Sequence, residues 1–247
     1  MKIKVIHSCD DNPYYLNFWP LVSMVWKKII GYDPVLVHIG DSNIDSTYGE
    51  VFSFKEIKSI PIHTQAQLAR LWYPALEPDV LWITSDIDMF PMSKPYWNSL
   101  KEYFKVSGVP DWTNLNSSGN YFPICYNVAY GEKFKSILEI PESFEDYLNY
   151  NIENDFEKTT HTPENWTGSP MTGWNMDEIV SSRKISNFRN NGGAVFTPIR
   201  PAGRRIDRIN WNYDKNLVES GYYIDCHSLR PVQKYEKEIK QLLGLLK

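Results

Sequence analysis

The chain has 247 residues and a formal net charge of −4, with 42% hydrophobic and 23% charged residues. This composition is typical of a soluble globular protein and excludes disordered, collagen-like and coiled-coil chains. The mild acidity argues against a nucleic-acid partner, because general nucleic-acid binders carry a basic excess.

The chain opens with MKIKVIHSCD, which lacks the apolar segment of a signal peptide. No stretch reaches the roughly 18 apolar residues of a transmembrane helix. We therefore expect a soluble, cytoplasmic protein without a transmembrane segment. The three cysteines have no short-spaced Cys/His framework, which argues against a disulfide scaffold or a zinc ribbon.

The first elements form a strand–helix–strand unit. The run Ile3 to Ser8 is apolar and β-branched, which predicts a buried parallel strand followed by a polar turn over Cys9–Pro13. Apolar residues at helical spacing predict a helix over Tyr14–Lys28, which Gly31 ends. Asp33 to Ile39 is the next predicted strand, so the spacing suits a right-handed parallel crossover.

A second unit ends in two acidic residues. After Val51 to Ser59, where either a strand or a short helix is possible, Gln65 to Leu76 has helical periodicity, and Pro74 should bend that helix or end it early. Val80 to Thr84 is a continuous apolar run, typical of a central strand, and it stops at Ser85-Asp86-Ile87-Asp88. An open α/β sheet binds its ligands at such strand ends.

The second half of the chain has weaker patterns, and it contains a long polar stretch over 149–175 where we predict no regular element. The elements predicted there are strands at Tyr121–Tyr130 and Ala194–Pro198 and helices at Lys133–Leu138, from Asp177 to Ser182, and at Glu236–Leu246.

The Asp86-x-Asp88 pair is the strongest chemical signal. Carboxylate oxygens are the ligands that Mg²⁺ and Mn²⁺ prefer, and such ions keep positions open for phosphate. Alternate residues of an extended strand point to opposite faces, so the two aspartates can share one ion only if the strand ends in a turn there. The alternative is a pair of solvated aspartates in a turn.

The order of these features resembles the GT-A fold of nucleotide-sugar-dependent glycosyltransferases of bacterial or viral type. The similar segments are the polar end of the first strand, the helix QAQLARLWYPAL and the strand DVLWITSDIDMFPM. The resemblance implies an α/β fold with a mostly parallel sheet flanked by helices, in a single domain over 1–247. Residues 1–100 would then bind the nucleotide sugar, and residues 101–247, more irregular, the acceptor.

The resemblance also implies a set of site residues. In this family the D-x-D motif binds Mn²⁺ and the donor diphosphate, and a late histidine followed by a basic residue often completes the site, which here implies His227 and Arg230. The expected metal ligands are Asp86, Asp88 and His227, holding Mn²⁺ or Mg²⁺. The expected donor-binding residues are Ser8, Asp10, Asp11, Gln65, Arg70, Asp86, Ile87 and Arg230.

Several of these residues have other interpretations. His227 would also be compatible with a structural histidine near a strand end, and Asp225 is an alternative ligand at the same place. Asp10 or Asp11 would also cap the following helix. Arg70 is expected to pair with the Asp86/Asp88 group or with donor phosphate.

Four arginines form a basic cluster in this acidic chain: Arg200, Arg204, Arg205 and Arg208. The cluster is compatible with a loop that closes over a diphosphate and with a solvated basic loop.

The segment Trp174-Asn175-Met176-Asp177-Glu178 is the candidate acceptor and catalytic element. An inverting sugar transfer needs a carboxylate to deprotonate the acceptor hydroxyl, and Asp177 is the first candidate and Glu178 the second. Trp174 would stack on the acceptor ring. A retaining enzyme needs no such base, and the acidic pair would also serve as an ordinary helix start, so the stereochemistry stays open.

The sequence therefore predicts a metal-dependent hexosyltransferase that moves a sugar from a nucleoside-diphosphate donor, with a UDP-sugar favoured, to a hydroxyl of a glycan or glycoconjugate. Two alternatives remain. A phosphohydrolase of haloacid-dehalogenase type also carries D-x-D after a strand, and a sugar-binding module without catalysis would explain the 15% aromatic content.

Overall fold

The first strand of the protein, β1 (Ile3–Asp10), is buried along its whole length, because it lies inside the sheet between two other strands and both of its faces are covered. The computed structural model describes residues 1–105, 110–116, 119–162, 171–198 and 203–246. The remaining strands of this part of the chain are β2 (Asp33–Ile39), β3 (Glu50–Phe54), β4 (Leu81–Thr84), β5 (Met89–Pro91), β6 (Trp112–Asn114), β7 (Asn127–Tyr130), β8 (Thr160–Thr162), β9 (Met171–Trp174), β10 (Val195–Phe196), β11 (Arg205–Asp207) and β12 (Asp225–His227).

Within the described residues, a seven-stranded sheet has the order β10-β6-β7-β4-β1-β2-β3. β1 pairs in parallel with β2 and with β4, and only β7 runs against its neighbours. The carboxyl ends of β1 and β4 therefore meet at one edge of the sheet, where the polar segments that follow both strands come together.

The helices of the described chain pack against this sheet and its loops. They are α1 (Pro13–Leu16), α2 (Trp19–Met24), α3 (Ile62–Trp72), α4 (Lys94–Tyr103), α5 (Gly131–Ile137), α6 (Phe144–Asp155), α7 (Met176–Asn190), α8 (Lys215–Glu219) and α9 (Val232–Leu243). None of them is long and apolar enough to cross a membrane.

The predicted helix over 14–28 is divided in two. Pro20 lies at the start of α2 and has no N–H to continue the ladder of α1, so the chain begins a new helix there. α2 continues as a π-helical segment, Val25–Ile30, which ends at Gly31 with a left-handed φ of 89°. In the next unit, α3 tightens into a 3₁₀ turn over Tyr73–Leu76 at Pro74, as predicted.

A second, three-stranded sheet positions the D-x-D motif. The motif lies in the turn that joins β4 to β5, and β5 pairs antiparallel with β12, so that Met89 lies opposite His227. The backbone N–H of Ser228 donates to the carbonyl of Asp88 at 2.9 Å. This pairing brings a histidine from late in the chain beside the second aspartate of the motif.

The polar stretch over 149–175 contains regular elements that the sequence did not predict. It includes the end of α6, a 3₁₀ turn at Phe156–Lys158 and the strand pair β8–β9. The prediction of no regular element there was therefore wrong for the described part, and residues 163–170 lie outside it. The helix α4 and the strands β6, β11 and β12 were also missed.

Candidate functional site

A cavity of about 290 Å³ lies at the carboxyl ends of β1 and β4. It is formed by the end of β1, by α3, by the D-x-D turn, by the start of α7 and by late residues of the chain. All but two of the predicted site residues line it: Ser8, Asp10, Arg70, Asp86, Ile87, Asp88, Trp174, Asp177, Glu178, His227 and Arg230.

The two exceptions, Asp11 and Gln65, bind elsewhere in the protein. The Oδ1 atom of Asp11 lies 2.8 Å from Nε2 of His38, and its Oδ2 accepts a hydrogen bond from the N–H of Asp41 at 3.1 Å. Gln65 is fully buried, and its amide bonds the backbone of Ile57 and Ile60. Both side chains therefore hold loops in place, and the structure does not bring them to the cavity.

Arg70 connects the D-x-D motif to the start of α7. Its Nη1 donates to Oδ1 of Asp86 at 2.6 Å, and its Nε donates to Oδ2 of Asp177 at 2.7 Å. Nη2 also donates to that same Asp177 oxygen. Burial disfavours the charged form of the Arg70 guanidinium. The negative charges of Asp177 and Asp86 outweigh this effect and raise the pKa of Arg70. The predicted pairing of Arg70 with the D-x-D group is present.

The thiol of Cys125 holds Asp86 from the other side. It accepts a hydrogen bond from the N–H of Asp86 at 2.9 Å and donates to Oδ2 of that residue at 3.2 Å. Together with Arg70, it engages both carboxylate oxygens of Asp86. No pattern in the sequence pointed to Cys125, because the contact depends on the loop before β7.

The helix α7 presents its two acidic residues differently. Asn175 has a left-handed φ of 61° immediately before the helix, and Asp177 then lies fully inside the protein against Arg70. Glu178 lies at the cavity wall, where it accepts a hydrogen bond from the hydroxyl of Tyr121 and one from the N–H of Ile124 at 3.4 Å. Burial and the nearby charge of Asp177 raise the pKa of Glu178 to about 7.

Asp88 is surrounded by cationic or basic side chains. Its Oδ2 accepts hydrogen bonds from Nη1 of Arg208 at 2.8 Å and from Nη1 of Arg230 at 3.4 Å, and Nε2 of His227 lies 3.7 Å away. Burial alone would raise the pKa of Asp88, but the charges of Arg208 and Arg230 lower it well below its usual range. Asp88 is therefore an ionised carboxylate at the floor of the cavity.

The donor set around His227 fits a hard divalent cation. Its Nδ1 lies 3.4 Å from Oδ2 of Asp207, which leaves Nε2 facing Asp88, the arrangement by which a carboxylate orients a metal-binding histidine. Burial lowers the pKa of His227, which favours the neutral, metal-binding form. Two ligands of one ion at about 2.1 Å lie at most about 4.2 Å apart, so Asp88 and His227 can share an ion.

Asp86 does not belong to the close pair formed by Asp88 and His227. Among the residues that the structure describes, no group of three His, Cys, Asp or Glu side chains lies close enough to hold a metal ion. The three-ligand set of Asp86, Asp88 and His227 stays a prediction. The alternative ligand Asp225 is buried and binds Arg205.

Aromatic residues line the side of the cavity that follows β1. Arg230 donates to the hydroxyl of Tyr15 at 2.7 Å, and its guanidinium lies over the rings of Tyr15 and Tyr14. The ring of Trp174 lies 6.1 Å from that of Tyr15. Asp10 is buried beside them, and burial raises its pKa. Tyr15 was not predicted as a site residue, because its spacing is that of an ordinary helix face.

A second cavity of about 570 Å³ adjoins the first one and shares Asp86, Glu178 and His227 with it. Its other lining residues include Asn116, Cys125, Arg204 and Arg205. Trp174, which was predicted to bind the acceptor, lines the first cavity and not the second.

The basic cluster is divided among separate partners. Arg208 binds Asp88, Arg205 makes a two-bond pair with Asp225, and Arg204 lies over the ring of Tyr222. Arg200 lies outside the described residues. Of the three described arginines of the cluster, Arg208 lines the first cavity, and Arg204 and Arg205 line the second.

Two solved glycosyltransferases have a similar fold. The galactosyltransferase LgtC, solved in complex with donor and acceptor sugar analogs, aligns with a TM-score of 0.50 and 14% identity over 99% of this chain and 96% of its own. The glycosyltransferase GlyE of Streptococcus pneumoniae TIGR4 aligns with a TM-score of 0.50 and 12% identity over 100% of this chain and 62% of its own. No protein-family model and no curated protein sequence matches the chain. The likeness confirms the predicted GT-A fold class.

Proposed function

We propose that this protein is a metal-dependent glycosyltransferase that moves a sugar from a nucleoside-diphosphate sugar, with a UDP-sugar favoured, to a hydroxyl of a glycan or glycoconjugate. The observation that carries the proposal is the convergence of Asp86, Asp88, Glu178, Arg208 and Arg230 on one cavity at the ends of β1 and β4. The donor and acceptor analogs bound by LgtC, which has a similar fold, support the substrate class.

The diphosphate end of the donor is assigned to the floor of this cavity. Arg208 and Arg230 already lie within hydrogen-bond distance of one carboxylate oxygen of Asp88, and a guanidinium matches phosphate oxygens as well as carboxylate oxygens. Asp88 and His227 are the residues that would hold Mn²⁺ or Mg²⁺, with Asp86 next to them. The ion, when bound, supplies Lewis-acid stabilisation of the departing diphosphate.

The nucleoside end is assigned to the side of the cavity after β1. Asp10 and Ser8 lie at the end of that strand, and a carboxylate there accepts a hydrogen bond from a uracil N3–H or a ribose hydroxyl. The rings of Tyr15 and Trp174 offer flat apolar surfaces beside it. This arrangement supports a nucleotide as the donor's leaving group.

Glu178 is assigned to the acceptor proton. In the transfer step the acceptor oxygen forms a bond to the anomeric carbon, the bond from that carbon to the diphosphate oxygen breaks, and the electron pair leaves with the diphosphate. The acceptor proton passes to the carboxylate of Glu178. Asp177, the first candidate in the sequence, is less suited, because its carboxylate is buried against Arg70.

The pH dependence of transfer tests this assignment. With a pKa of about 7, Glu178 is ionised above that value, so transfer should fall about tenfold per pH unit below it. Glu178→Gln should slow transfer by about 10²- to 10⁴-fold and lose this acidic limb. Initial rates of product formation between pH 5 and 9 measure both effects.

The control for Glu178→Gln is the rate of donor hydrolysis without an acceptor, because it shows whether the variant still binds and cleaves the donor. A Glu178→Gln enzyme that transfers sugar at the rate of the parent protein, with the same acidic limb, would show that the acceptor proton goes elsewhere.

A further inference from the structure

The second cavity joins the first at the residues proposed to react. Asp86, Glu178 and His227 line both cavities, whereas Asp10 and Tyr15 line the first and not the second, so a molecule in the second cavity would border Glu178 without occupying the proposed nucleoside end. A bisubstrate transferase needs two binding spaces that meet at the reacting atoms. The volume of about 570 Å³ is within the usual range of a small-molecule site.

One wall of the second cavity is built from positively charged side chains that are held in place. The guanidinium of Arg204 lies 4.5 Å from the ring centre of Tyr222, and its Nε donates to the carbonyl of that residue. The neighbouring Arg205 is fixed by two hydrogen bonds to Asp225, at 2.8 and 2.9 Å. A guanidinium held on an aromatic ring is preorganised for a planar anion, because little side-chain entropy is lost on binding.

Two arginines of this acidic chain line the second cavity together. The chain as a whole carries −4, yet Arg204 and Arg205 both line this cavity, which the carboxylates of Asp86 and Glu178 also border. The lining also includes Asn116 and Cys125, whose side chains are uncharged.

We propose that the second cavity binds the acceptor, and that this acceptor carries a phosphate or a carboxylate that Arg204 binds while its hydroxyl reaches Glu178. The proposal rests on the proposed function and adds the chemical class of the acceptor. In this proposal Arg204 of the second cavity, and not Trp174 of the first, contacts the acceptor.

Three matched probes test the proposal: methyl glucoside, methyl glucuronide and methyl glucoside 6-phosphate. They share one ring and differ only in the group at C6, which is neutral, a carboxylate or a phosphate. Each is added to the protein with Mn²⁺ and a donor that it hydrolyses, and both the glycosylated product and the released nucleotide are measured. We expect the charged probes to be glycosylated, or to inhibit donor hydrolysis, at about tenfold lower concentration than the neutral one. The charged probe that acts at the lower concentration shows whether the cavity prefers a carboxylate or a phosphate.

Substitutions of Arg204 give the second arm. The preference for the charged over the neutral probe, measured as the ratio of their effective concentrations, should fall about tenfold in Arg204→Gln. It should be largely kept in Arg204→Lys, which retains the charge. Lys237→Gln, an exposed residue on α9, is the matched control and should leave the ratio unchanged.

Equal use of charged and neutral probes, including no effect of either, would overturn the proposal, as would an unchanged ratio in Arg204→Gln. These outcomes differ from failure of the proposed function, in which no nucleotide sugar is hydrolysed even without a probe.

Discussion

Asp88→Asn is expected to reduce metal-stimulated nucleotide release by about 10²- to 10³-fold. Asparagine keeps the size of the side chain but removes the charge that Arg208, Arg230 and His227 surround. The proposed ion loses an anionic ligand, and Lewis-acid stabilisation of the leaving group is worth several kcal/mol, at about 1.4 kcal/mol per tenfold in rate. Initial rates over a Mn²⁺ titration measure the effect.

A binding measurement separates loss of the metal from loss of the fold. The electron paramagnetic resonance signal of free Mn²⁺ reports how much of the ion the protein binds, independently of activity. Asp207→Asn, which removes the carboxylate behind His227, should weaken binding about 10- to 100-fold, and the exposed Asp79→Asn should leave it unchanged. Mn²⁺ binding and turnover at the parent level in Asp88→Asn would contradict the metal assignment.

The second large effect concerns stability. Asp177→Ala should lower the free energy of unfolding by about 3 to 5 kcal/mol, because it leaves the guanidinium of Arg70 inside the protein without its closest carboxylate. For a chain of this size the melting temperature should fall by about 6 to 20 °C. Thermal and urea unfolding followed by circular dichroism measure both quantities.

Glu178→Ala is the matched control, since it changes the next residue of the same helix. The pKa of Glu178 is raised from 4.5 to about 7, so the folded state holds its proton more tightly than the unfolded state does. Its contribution to stability is therefore present below pH 4.5 and is lost as the pH rises through about 7. At pH 8 its removal should cost much less than the removal of Asp177, and equal losses in the two variants would contradict the structural role of the Arg70–Asp177 pair.

Much of the first half of the fold could be predicted because its signals are local. The buried runs before Cys9, over Asp33–Ile39 and before Ser85 are strands, and Pro74 ends α3 as expected. Short strands such as β6 and β12 have no such signal, because three residues show no periodicity and their pairing depends on distant segments.

The helix α6 shows how a tertiary contact can hide a pattern. Asn151 and Asp155 lie on its buried face, where a helix normally carries apolar residues. Both are compensated by Arg183 on α7, which bonds the carboxylate of Asp155 and the amide oxygen of Asn151. That partner is distant in the sequence, so the segment was interpreted as polar and irregular.

The site residues also divide into those that local sequence signals identify and those whose role depends on contacts between distant segments. The D-x-D pair, His227 and Arg230 could be predicted from residue type and order, and the structure brings them to one cavity. The roles of Asp11 and Gln65 depend on which backbone groups lie opposite them, and the sequence does not contain that information.

The phosphohydrolase alternative requires Asp86 as a nucleophile. Both of its carboxylate oxygens are engaged, Oδ1 by Arg70 and Oδ2 by the thiol of Cys125, and the fold is similar to that of glycosyltransferases. A sugar-binding module without catalysis would bind glycans without metal-stimulated turnover, which a rate measurement detects directly.

The most direct test of the proposed function is the release of nucleotide from a panel of UDP-, GDP- and TDP-sugars, each with Mn²⁺ and with EDTA. We expect release from one donor, a UDP-sugar, that requires Mn²⁺ and stops with EDTA, because many transferases hydrolyse their donor slowly without an acceptor. Absence of release from every donor, together with no donor-induced shift in melting temperature, would contradict the glycosyltransferase assignment.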